Sequence, residues 1–250
     1  NLIPTHYSLL TSPNYYFQHQ PTYYAKEVYK MFSSQKVIAL IILSFIVGCS
    51  PNNLAGNNVQ NTASSQSDIL KDTLIIPGKR IGGVTRKTTR TDLVKMFGES
   101  KLTDDVILED EETISVPVTK VNLGGEKYFT VAWEEDNREN LLYVTDLGSA
   151  WKIPENIRVG TSFQELQQKL GEFKLTGLGW DYGGFINLET TKLSKYQGQI
   201  SLKLSPDEKA SQNHPQQYET VLGDRELSST NPNWQSLNMK VSQITILFDE

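Results

Sequence analysis

The chain of 250 residues has few of the side chains that build metal sites and nucleophile sites. It contains one cysteine, Cys49, and three histidines, of which only His214 lies beyond residue 48. A single cysteine excludes an intramolecular disulfide, and one histidine is too few for a Cys/His metal site. His214 lies in the polar sequence SQNHPQQ, which favours a solvated histidine. The sequence also lacks the GxSxG, Walker and GxGxxG motifs, so we expect no metal, no cofactor and no catalytic activity.

No apolar run in the sequence is long enough to cross a bilayer. The longest extends from Val37 to Gly48 and is interrupted by Ser44, whereas a membrane-spanning helix needs roughly 20 residues. Met31 and Lys36 precede the run. A start residue, one positive charge and a short apolar core are typical of a secretory signal peptide. We therefore predict a signal peptide over residues 31–48.

The residues that end this run resemble the lipobox of bacterial lipoproteins. The sequence Ile46-Val47-Gly48-Cys49 has a branched residue, a tolerated second position, a small residue and a cysteine. The resemblance implies cleavage before Cys49 and attachment of a diacylglyceryl group to its thiol, which would anchor the protein in a membrane. Ser50 follows the cysteine, and in the lipoprotein pattern this residue favours the outer membrane. The alternative is a buried helix with an ordinary core cysteine.

The segments on either side of the predicted signal peptide are not expected to belong to a folded domain. Residues 1–30 begin with Asn and hold six of the eleven tyrosines without a regular period. We interpret them as an over-extended gene model, or alternatively as a disordered extension. Residues 50–72 are rich in Asn, Ser, Gln and Gly, which predicts a flexible tether between Cys49 and a folded domain.

The charge of the predicted mature protein is acidic. Residues 1–48 contain three lysines and one glutamate, so the remainder carries a net charge of about −7, against −5 for the whole chain. An acidic surface repels phosphate groups. We therefore expect no nucleic-acid partner.

Residues 73–250 contain an internal repeat. The sequence KTTRTDLVKMFG, residues 87–98, aligns without gaps with GTSFQELQQKLG, residues 160–171. Thr89 and Ser162 are predicted helix N-caps, with Asp92 and Glu165 three residues later in the capping-box pattern. Glycine ends both matches, at the position where it commonly follows a helix. The repeat predicts a duplicated unit with halves of about 73–146 and 147–250.

Strands are predicted after each of these helices. In the first half, Pro117 within an alternating segment indicates an edge or a bulge. Residues 127–133 and 141–145 flank the polar sequence EEDNREN, which is predicted to be a hairpin tip. In the second half, residues 184–188, 199–204 and 241–248 are strand candidates. Two short helices need a surface to pack on, so we predict an α+β fold in which the duplicated unit is a short capped helix followed by antiparallel strands, with the helices packed on the antiparallel sheet.

This repeat resembles that of two families. A short capped helix that ends in glycine, follows I-x-x-G-T and precedes antiparallel strands is similar to the repeat of SmpA/OmlA-type envelope lipoproteins. It is also similar to the tandem repeats of β-lactamase inhibitory proteins. The resemblance covers residues 157–171 and, more loosely, 84–98, where Lys87 replaces the glycine. It implies a binding scaffold and transfers no active site.

Carboxylates are the remaining candidates for chemistry. The dense clusters are EDEE, residues 109–112, and EED, residues 134–136. Neither has the spacing of a calcium loop, and solvated hairpin tips explain both. A catalytic pair of carboxylates from distant positions stays an open alternative.

The sequence GLGWDYGG, residues 177–184, is the most distinctive stretch. Trp180, Asp181 and Tyr182 could form an aromatic recognition loop, because Trp and Tyr often anchor interfaces. The alternative is a glycine-shaped turn whose aromatic rings close the core. Residues 206–239 show no clear period, which predicts an irregular excursion. Its near end, through Gln217, is predicted to be mobile, and Trp234, Leu237 and Met239 are predicted to pack back, with Trp234 added to the candidate binding surface.

These features predict an exported, lipid-anchored cell-envelope protein that acts as a non-catalytic binding or adaptor module. Its expected partners are the membrane, through Cys49, and an envelope protein. The sequence does not identify a small-molecule ligand. Two alternatives are an envelope hydrolase that uses Asp and Glu carboxylates and a purely structural envelope protein.

Overall fold

The computed structural model describes residues 71–109, 114–180 and 182–249. Within them, twelve strands and four α-helices form an α+β fold with antiparallel sheets. The strands are β1 (Ile75–Ile76), β2 (Arg80–Ile81), β3 (Val84–Thr85), β4 (Leu102–Glu109), β5 (Ile114–Asn122), β6 (Tyr128–Trp133), β7 (Leu141–Thr145), β8 (Lys174–Thr176), β9 (Ile186–Asn187), β10 (Ile200–Ser205), β11 (Glu226–Ser228) and β12 (Lys240–Leu247). The helices are α1 (Arg90–Phe97), α2 (Phe163–Leu170), α3 (Ala210–Asn213) and α4 (Pro215–Thr220). Short 3₁₀ helices cover Glu99–Lys101, Pro154–Asn156, Ser194–Tyr196 and Pro232–Leu237.

The main sheet has six strands in the order β10-β12-β7-β6-β5-β4. All of its neighbouring strands are antiparallel. Strands β4–β7 follow α1, and β10 and β12 follow α2, so both halves of the chain contribute to one sheet. The sheet joins the halves through the pairing of β12 with β7, where Ile246 lies opposite Val144.

The two helices of the sequence repeat begin and end as predicted. Thr89 caps α1 in a complete capping box with Asp92, and the Ser162 side chain accepts a hydrogen bond from the backbone N–H of Glu165 at the start of α2. Gly98 and Gly171 follow the helices with φ angles of 86° and 85°. This left-handed region suits glycine because a Cβ atom is strained there.

Both helices pack on the same side of the main sheet. Leu93 and Phe97 of α1 and Leu166 of α2 are buried in one cluster with Val131 of β6. The ring of Phe97 meets that of Phe129, also on β6, edge to face with centroids 6.1 Å apart. The next residues along the strands face the other way, where a second buried cluster contains Val116, Val118, Ala132 and Tyr143.

The strands that follow α2 do not copy those that follow α1. After α1, four consecutive strands enter the main sheet, whereas β8 and β9 after α2 join β11 in a separate three-stranded sheet. A third sheet, β1-β2-β3, consists of two-residue strands. The α+β class and the antiparallel sheet are therefore shown, and the repeated helix-then-strand unit is visible only at the level of the capped helices.

The excursion over residues 206–239 is not irregular. It contains α3, α4, β11 and the 3₁₀ helix Pro232–Leu237, so the prediction of an irregular segment is wrong. The elements have three to six residues each, too few to show a period in the sequence. The predicted return of its far end is confirmed, because Trp234, Leu237 and Met239 are buried in the main cluster.

Candidate functional site

Strand β4 forms one edge of the main sheet, and no strand of the described residues pairs with its outer side. This edge is eight residues long. Val106 and Leu108 point to the same face, because side chains alternate along a strand, and they are 48% and 58% exposed. Long edges with exposed apolar side chains are templates for pairing with another chain. We therefore take β4 as the candidate binding edge.

The second half of β4 extends beyond the rest of the sheet as a two-stranded ribbon. Strand β5 pairs with β4 from Ile114 to Val121 but with β6 only from Val118 to Asn122. The ladder to β6 therefore begins at Val118, directly after Pro117, and the proline nitrogen has no hydrogen to donate. Pro117 was predicted to mark an edge or a bulge. At Pro117, β5 has no partner on its β6 side and is paired only with β4, which is the outermost strand.

An ionic network holds the first half of β4 to the helix α1. The Arg90 guanidinium at the start of α1 donates to both carboxylate oxygens of Glu99 at 2.6 Å. Its Nε donates to the carboxylate of Asp104 on β4, at 3.1 Å and 3.3 Å from the two oxygens. Two-pronged contacts of this kind fix the planar arginine group in one orientation. The edge strand is therefore positioned by a charged clamp as well as by its partner strand.

The clamp continues into the core through Thr119 on β5. The Thr119 hydroxyl donates to the Asp104 carboxylate at 2.6 Å and accepts from the Trp133 indole N–H at 2.9 Å. Thr119 and Trp133 are fully buried. Arg138 approaches from the hairpin between β6 and β7, with its Nε 3.6 Å from Asp104. The Trp133 side chain, the edge strand and α1 are thus linked by one continuous set of polar contacts.

The pKa shifts in this region all favour charged side chains. Hydrogen bonds to Glu99 and Asp104 raise the pKa of Arg90 above its ordinary value. A hydrogen bond from Arg90 lowers the pKa of Glu99. Burial opposes ionisation of Asp104, but hydrogen bonds from Thr119 and Arg90 lower its pKa on balance. A general acid needs a raised pKa to hold a proton near neutral pH, so these carboxylates are suited to a structural clamp.

The aromatic loop between β8 and β9 is partly buried. The rings of Trp180 and Tyr182 meet edge to face with centroids 5.0 Å apart. The Trp180 indole N–H donates to the carbonyl of Gly177 at 2.9 Å. Gly184 lies against β10, where an added Cβ atom would approach the Leu204 carbonyl to 2.1 Å. The loop therefore combines a glycine-shaped turn with two partly buried rings, and Asp181 lies outside the described residues.

Trp234 does not belong to a binding surface. Its side chain is 0% exposed and lies against the ring of Phe163 on α2, with centroids 6.1 Å apart. Its indole N–H donates to the carbonyl of Ser228 at 3.0 Å. Its placement in the candidate surface is therefore corrected: Trp234 is a core residue that packs the 3₁₀ helix against α2.

The remaining predicted features lie at exposed or undescribed positions. Cys49 and residues 110–112 of the first acidic cluster lie outside the described residues. Residues 134–136 are exposed in the hairpin between β6 and β7, as predicted for a solvated tip. Within residues 71–109, 114–180 and 182–249, no group of three or more His, Cys, Asp or Glu is positioned to bind a metal ion. No helix in that part of the chain is long and apolar enough to span a membrane.

A shallow depression lies beside α2 on the described surface. It has a volume of about 450 Å³ and is lined by Gln164, Gln167, Gln168, Gly171, Glu172 and Thr230. Three of the lining residues are glutamines, and Glu172 is the one carboxylate among them. The lining contains no second carboxylate, histidine or cysteine that would form a catalytic pair with Glu172.

Sequence reasoning missed the edge strand and its clamp. The segment LTDDVILE lacks strict alternation, and its two aspartates are disfavoured in strands. Arg90 appeared only as a position within the helix repeat. Two features of the sequence indicated a strand here. One is the apolar run Val106-Ile107-Leu108 before the acidic residues 109–112. The other is the segment between Gly98 and Ile114, which is long enough to contain a further strand.

Comparisons with known proteins give no family for the chain. No protein-family model matches it, and no curated protein sequence matches it. Among solved structures it is similar to the crystal structure of the uncharacterized protein yfeY from Escherichia coli, with 15% identity and a TM-score of 0.40. The match covers 68% of this chain and 97% of that chain. A likeness at this level supports no inference about function.

Proposed function

We propose that this protein is an exported, lipid-anchored protein of the cell envelope that acts as a non-catalytic binding or adaptor module. The observation that carries the proposal is the sequence Ile46-Val47-Gly48-Cys49 at the end of a short apolar run. A polar segment of about twenty residues follows before β1 begins at Ile75. This order of signal, acylated cysteine, tether and domain is what a membrane-anchored module requires. The serine after Cys49 favours the outer membrane.

The proposal includes a second part: the domain arose by duplication, with halves of about 73–146 and 147–250. The two eight-residue helices with side-chain N-caps and following glycines support it. The second half then diverged after its helix, where a separate small sheet was formed. The duplication supplies a scaffold, and the binding surface is a feature of the first half alone.

The binding surface is the free edge of β4. Along this edge alternate residues direct their backbone groups outward, so about half of the eight residues can bond an extended segment of another envelope protein, which would add a strand to the sheet. The N–H of Val106 donates to the Asp105 carboxylate at 2.9 Å and would exchange that bond for one to the added strand. The ion pairs of Asp104 with Arg90 and of Asp105 with Lys120 neutralise the strand's own aspartates. Val106 and Leu108 then favour a segment with apolar side chains on the facing side. The partly buried rings of the aromatic loop form a second candidate surface.

The hydrolase alternative is less well supported than binding. Among the residues that the structure describes, the carboxylates whose pKa is shifted are Asp92, Glu99, Asp104 and Asp105, and hydrogen bonds from neighbouring side chains lower each pKa. Deprotonated and ion-paired carboxylates are poor proton donors. A structural envelope protein without a saturable partner is the other alternative, and the binding experiment below separates it from the adaptor.

The experiment places a photo-crosslinking amino acid at position 108 of the full chain. The control carries it at position 208, an exposed position three residues after β10 ends at Ser205. We expect one partner protein to be crosslinked in native membranes from position 108 and not from position 208. An excess of unlabelled chain should compete for that partner and reduce the crosslinking from position 108. An unlabelled competitor with Leu108→Lys should no longer reduce it, whereas a competitor with Glu208→Lys should reduce it as the unsubstituted chain does. Equal crosslinking from both positions, or none, would contradict an edge-strand adaptor. Release of the Cys49→Ala variant from the membrane fraction tests the anchor separately.

A further inference from the structure

The segment that joins the tether to the domain exposes two large apolar side chains. In β1, Ile75 is 4% exposed and belongs to the core. Leu74 and Ile76 on either side of it point outward, and they are 55% and 40% exposed. Alternation along an extended chain places both side chains on one face, roughly 7 Å apart. They lie three and five residues after the first described residue, Lys71.

Cationic side chains border this apolar pair. Leu74 forms a bridge with Lys152, and Ile76 pairs directly with Arg80 in β2. Paired residues of neighbouring strands place their side chains on the same face. Lys71 and Lys79 are exposed in the same segment. We call Leu74, Ile76 and these four cations the tether-side patch.

The acidic groups near the patch are already bonded. The Asp72 carboxylate accepts from Arg80 at 2.5 Å, and Asp249, whose N–H donates to Gly78, accepts from Gln199 at 2.7 Å. The Asp72–Arg80 pair is neutral overall, and Asp249 keeps its formal negative charge beside a neutral amide, so Lys71, Lys79 and Lys152 leave the patch a formal charge of about +2 on a chain whose net charge is −5. A local cluster of lysines beside exposed aliphatic side chains matches the interface of a membrane with anionic headgroups, whose negative surface potential attracts basic side chains.

The position of the patch in the chain decides which surface it meets. Residue 49 is followed by 21 residues before Lys71, and a polar linker of that length has an end-to-end distance of roughly 25 Å. A tether this short holds Lys71, where it joins the domain, close to the membrane surface, at an effective concentration in the millimolar range. The part of the domain nearest to that point is the tether-side patch.

We propose that the tether-side patch lies on the membrane that carries the Cys49 anchor, with Leu74 and Ile76 entering the lipid–water interface and the flanking lysines contacting anionic phospholipid headgroups. The inference rests on the proposed lipid anchor. It fixes the orientation of the domain, since β1 then lies at the membrane. Strand β10 starts beside Gly78, near the membrane. Its other end, at Ser205, lies roughly 20 Å further along the sheet and is held away from the membrane.

The experiment uses the acylated full chain and its single cysteine. Acylation consumes the Cys49 thiol, so Leu74→Cys, Ile76→Cys and the control Glu208→Cys each provide one reactive thiol for a nitroxide label. The three proteins are reconstituted in vesicles of phosphatidylcholine with one third phosphatidylglycerol. Collision rates with oxygen and with a water-soluble nickel complex give the depth of each label. Leu74 and Ile76 are exposed, so these substitutions should not disturb folding, which circular dichroism checks.

We expect labels at positions 74 and 76 to favour oxygen severalfold over the nickel complex, and the label at 208 to show the ratio of a fully aqueous site. The difference should shrink in vesicles of phosphatidylcholine alone. Aqueous ratios at 74 and 76 in acylated, vesicle-bound protein would overturn this inference and leave the anchor intact. Spin–spin broadening at 74 and 76 would also overturn it, because a second copy of the chain would then cover the patch. An unmodified Cys49 would instead overturn the proposed function on which the inference rests.

Discussion

The hydroxyl of Thr119 gives the sharpest prediction from this structure. It is fully buried, accepts the indole N–H of Trp133 at 2.9 Å and donates to the Asp104 carboxylate at 2.6 Å. Thr119→Val keeps the shape and the β-branched character of the side chain while removing both hydrogen bonds. The substitution therefore tests whether the ionic clamp and the core are energetically linked.

The expected loss has two parts. The Trp133 N–H is left buried without an acceptor, which costs about 1–3 kcal/mol. The bond to Asp104 involves a charged acceptor and is worth about 1.5–3 kcal/mol, but the Asp104 side chain is 37% exposed and water replaces part of that bond. We expect Thr119→Val to lower the free energy of unfolding by about 2–4 kcal/mol, a large share of the stability of an ordinary domain.

Urea unfolding followed by tryptophan fluorescence measures this change, with the slope m expected to stay constant. Thr103→Val is the matched control, because Thr103 is exposed on the neighbouring strand β4 and should change stability by less than about 0.5 kcal/mol. In a Trp133→Phe background the orphaned donor is absent, so Thr119→Val should cost about 1–2 kcal/mol less. Equal effects of Thr119→Val and Thr103→Val would refute the linkage.

Three further predictions use the same unfolding assay. Gly184→Ala should cost about 2–4 kcal/mol, because its φ is +85° and the new Cβ meets a carbonyl at 2.1 Å, whereas Gly198→Ala, at φ +81° with open space around it, should cost about 1 kcal/mol. Thr89→Ala removes the α1 cap and should cost about 0.5–2 kcal/mol; no change in the midpoint would contradict the capping box. The pKa values of Asp92 and Asp104 are lowered by folding, so the stability they contribute is present above pH 4 and is lost as the pH falls through their folded-state pKa values. Asp104→Asn should flatten this acid dependence, and an unchanged pH profile would argue against the clamp.

The parts of the fold that the sequence predicts are those set by local interactions. The caps at Thr89 and Ser162 and the glycines after each helix depend on contacts within a few residues, and all of them appear in the structure. The same holds for the hairpin between β6 and β7, whose apolar strands flank a polar tip. Such elements are specified by the segment in which they lie.

The parts that the sequence does not predict depend on distant partners. Strands β1, β2 and β3 have two residues each and exist through pairing and burial of Ile75, Ile81 and Val84. Strand β4 contains Asp104 and Asp105, which oppose strand formation until Arg90 and Lys120 neutralise them. No local pattern reports a neutralising partner from another element.

The binding edge at β4 was not predicted from the sequence, and the aromatic residues named as a candidate surface lie at different depths in the structure. Trp180 and Tyr182 lie together in the loop between β8 and β9, with ring centroids 5.0 Å apart, and both are partly buried. Trp234 has the same residue type but lies in the core, because the short 3₁₀ helix that carries it folds back over α2. The residue type indicates a large amphipathic ring, and only tertiary packing decides whether the ring faces solvent.

Mass spectrometry of the protein purified from native membranes tests the proposed anchoring most directly. Trypsin should release a peptide from Cys49 to Lys71, because no lysine or arginine lies between them. The proposal predicts that this peptide begins at Cys49 and carries the mass of a diacylglyceryl group. An unmodified peptide from Val37 to Lys71, which would contain the uncleaved Gly48–Cys49 bond, would contradict it.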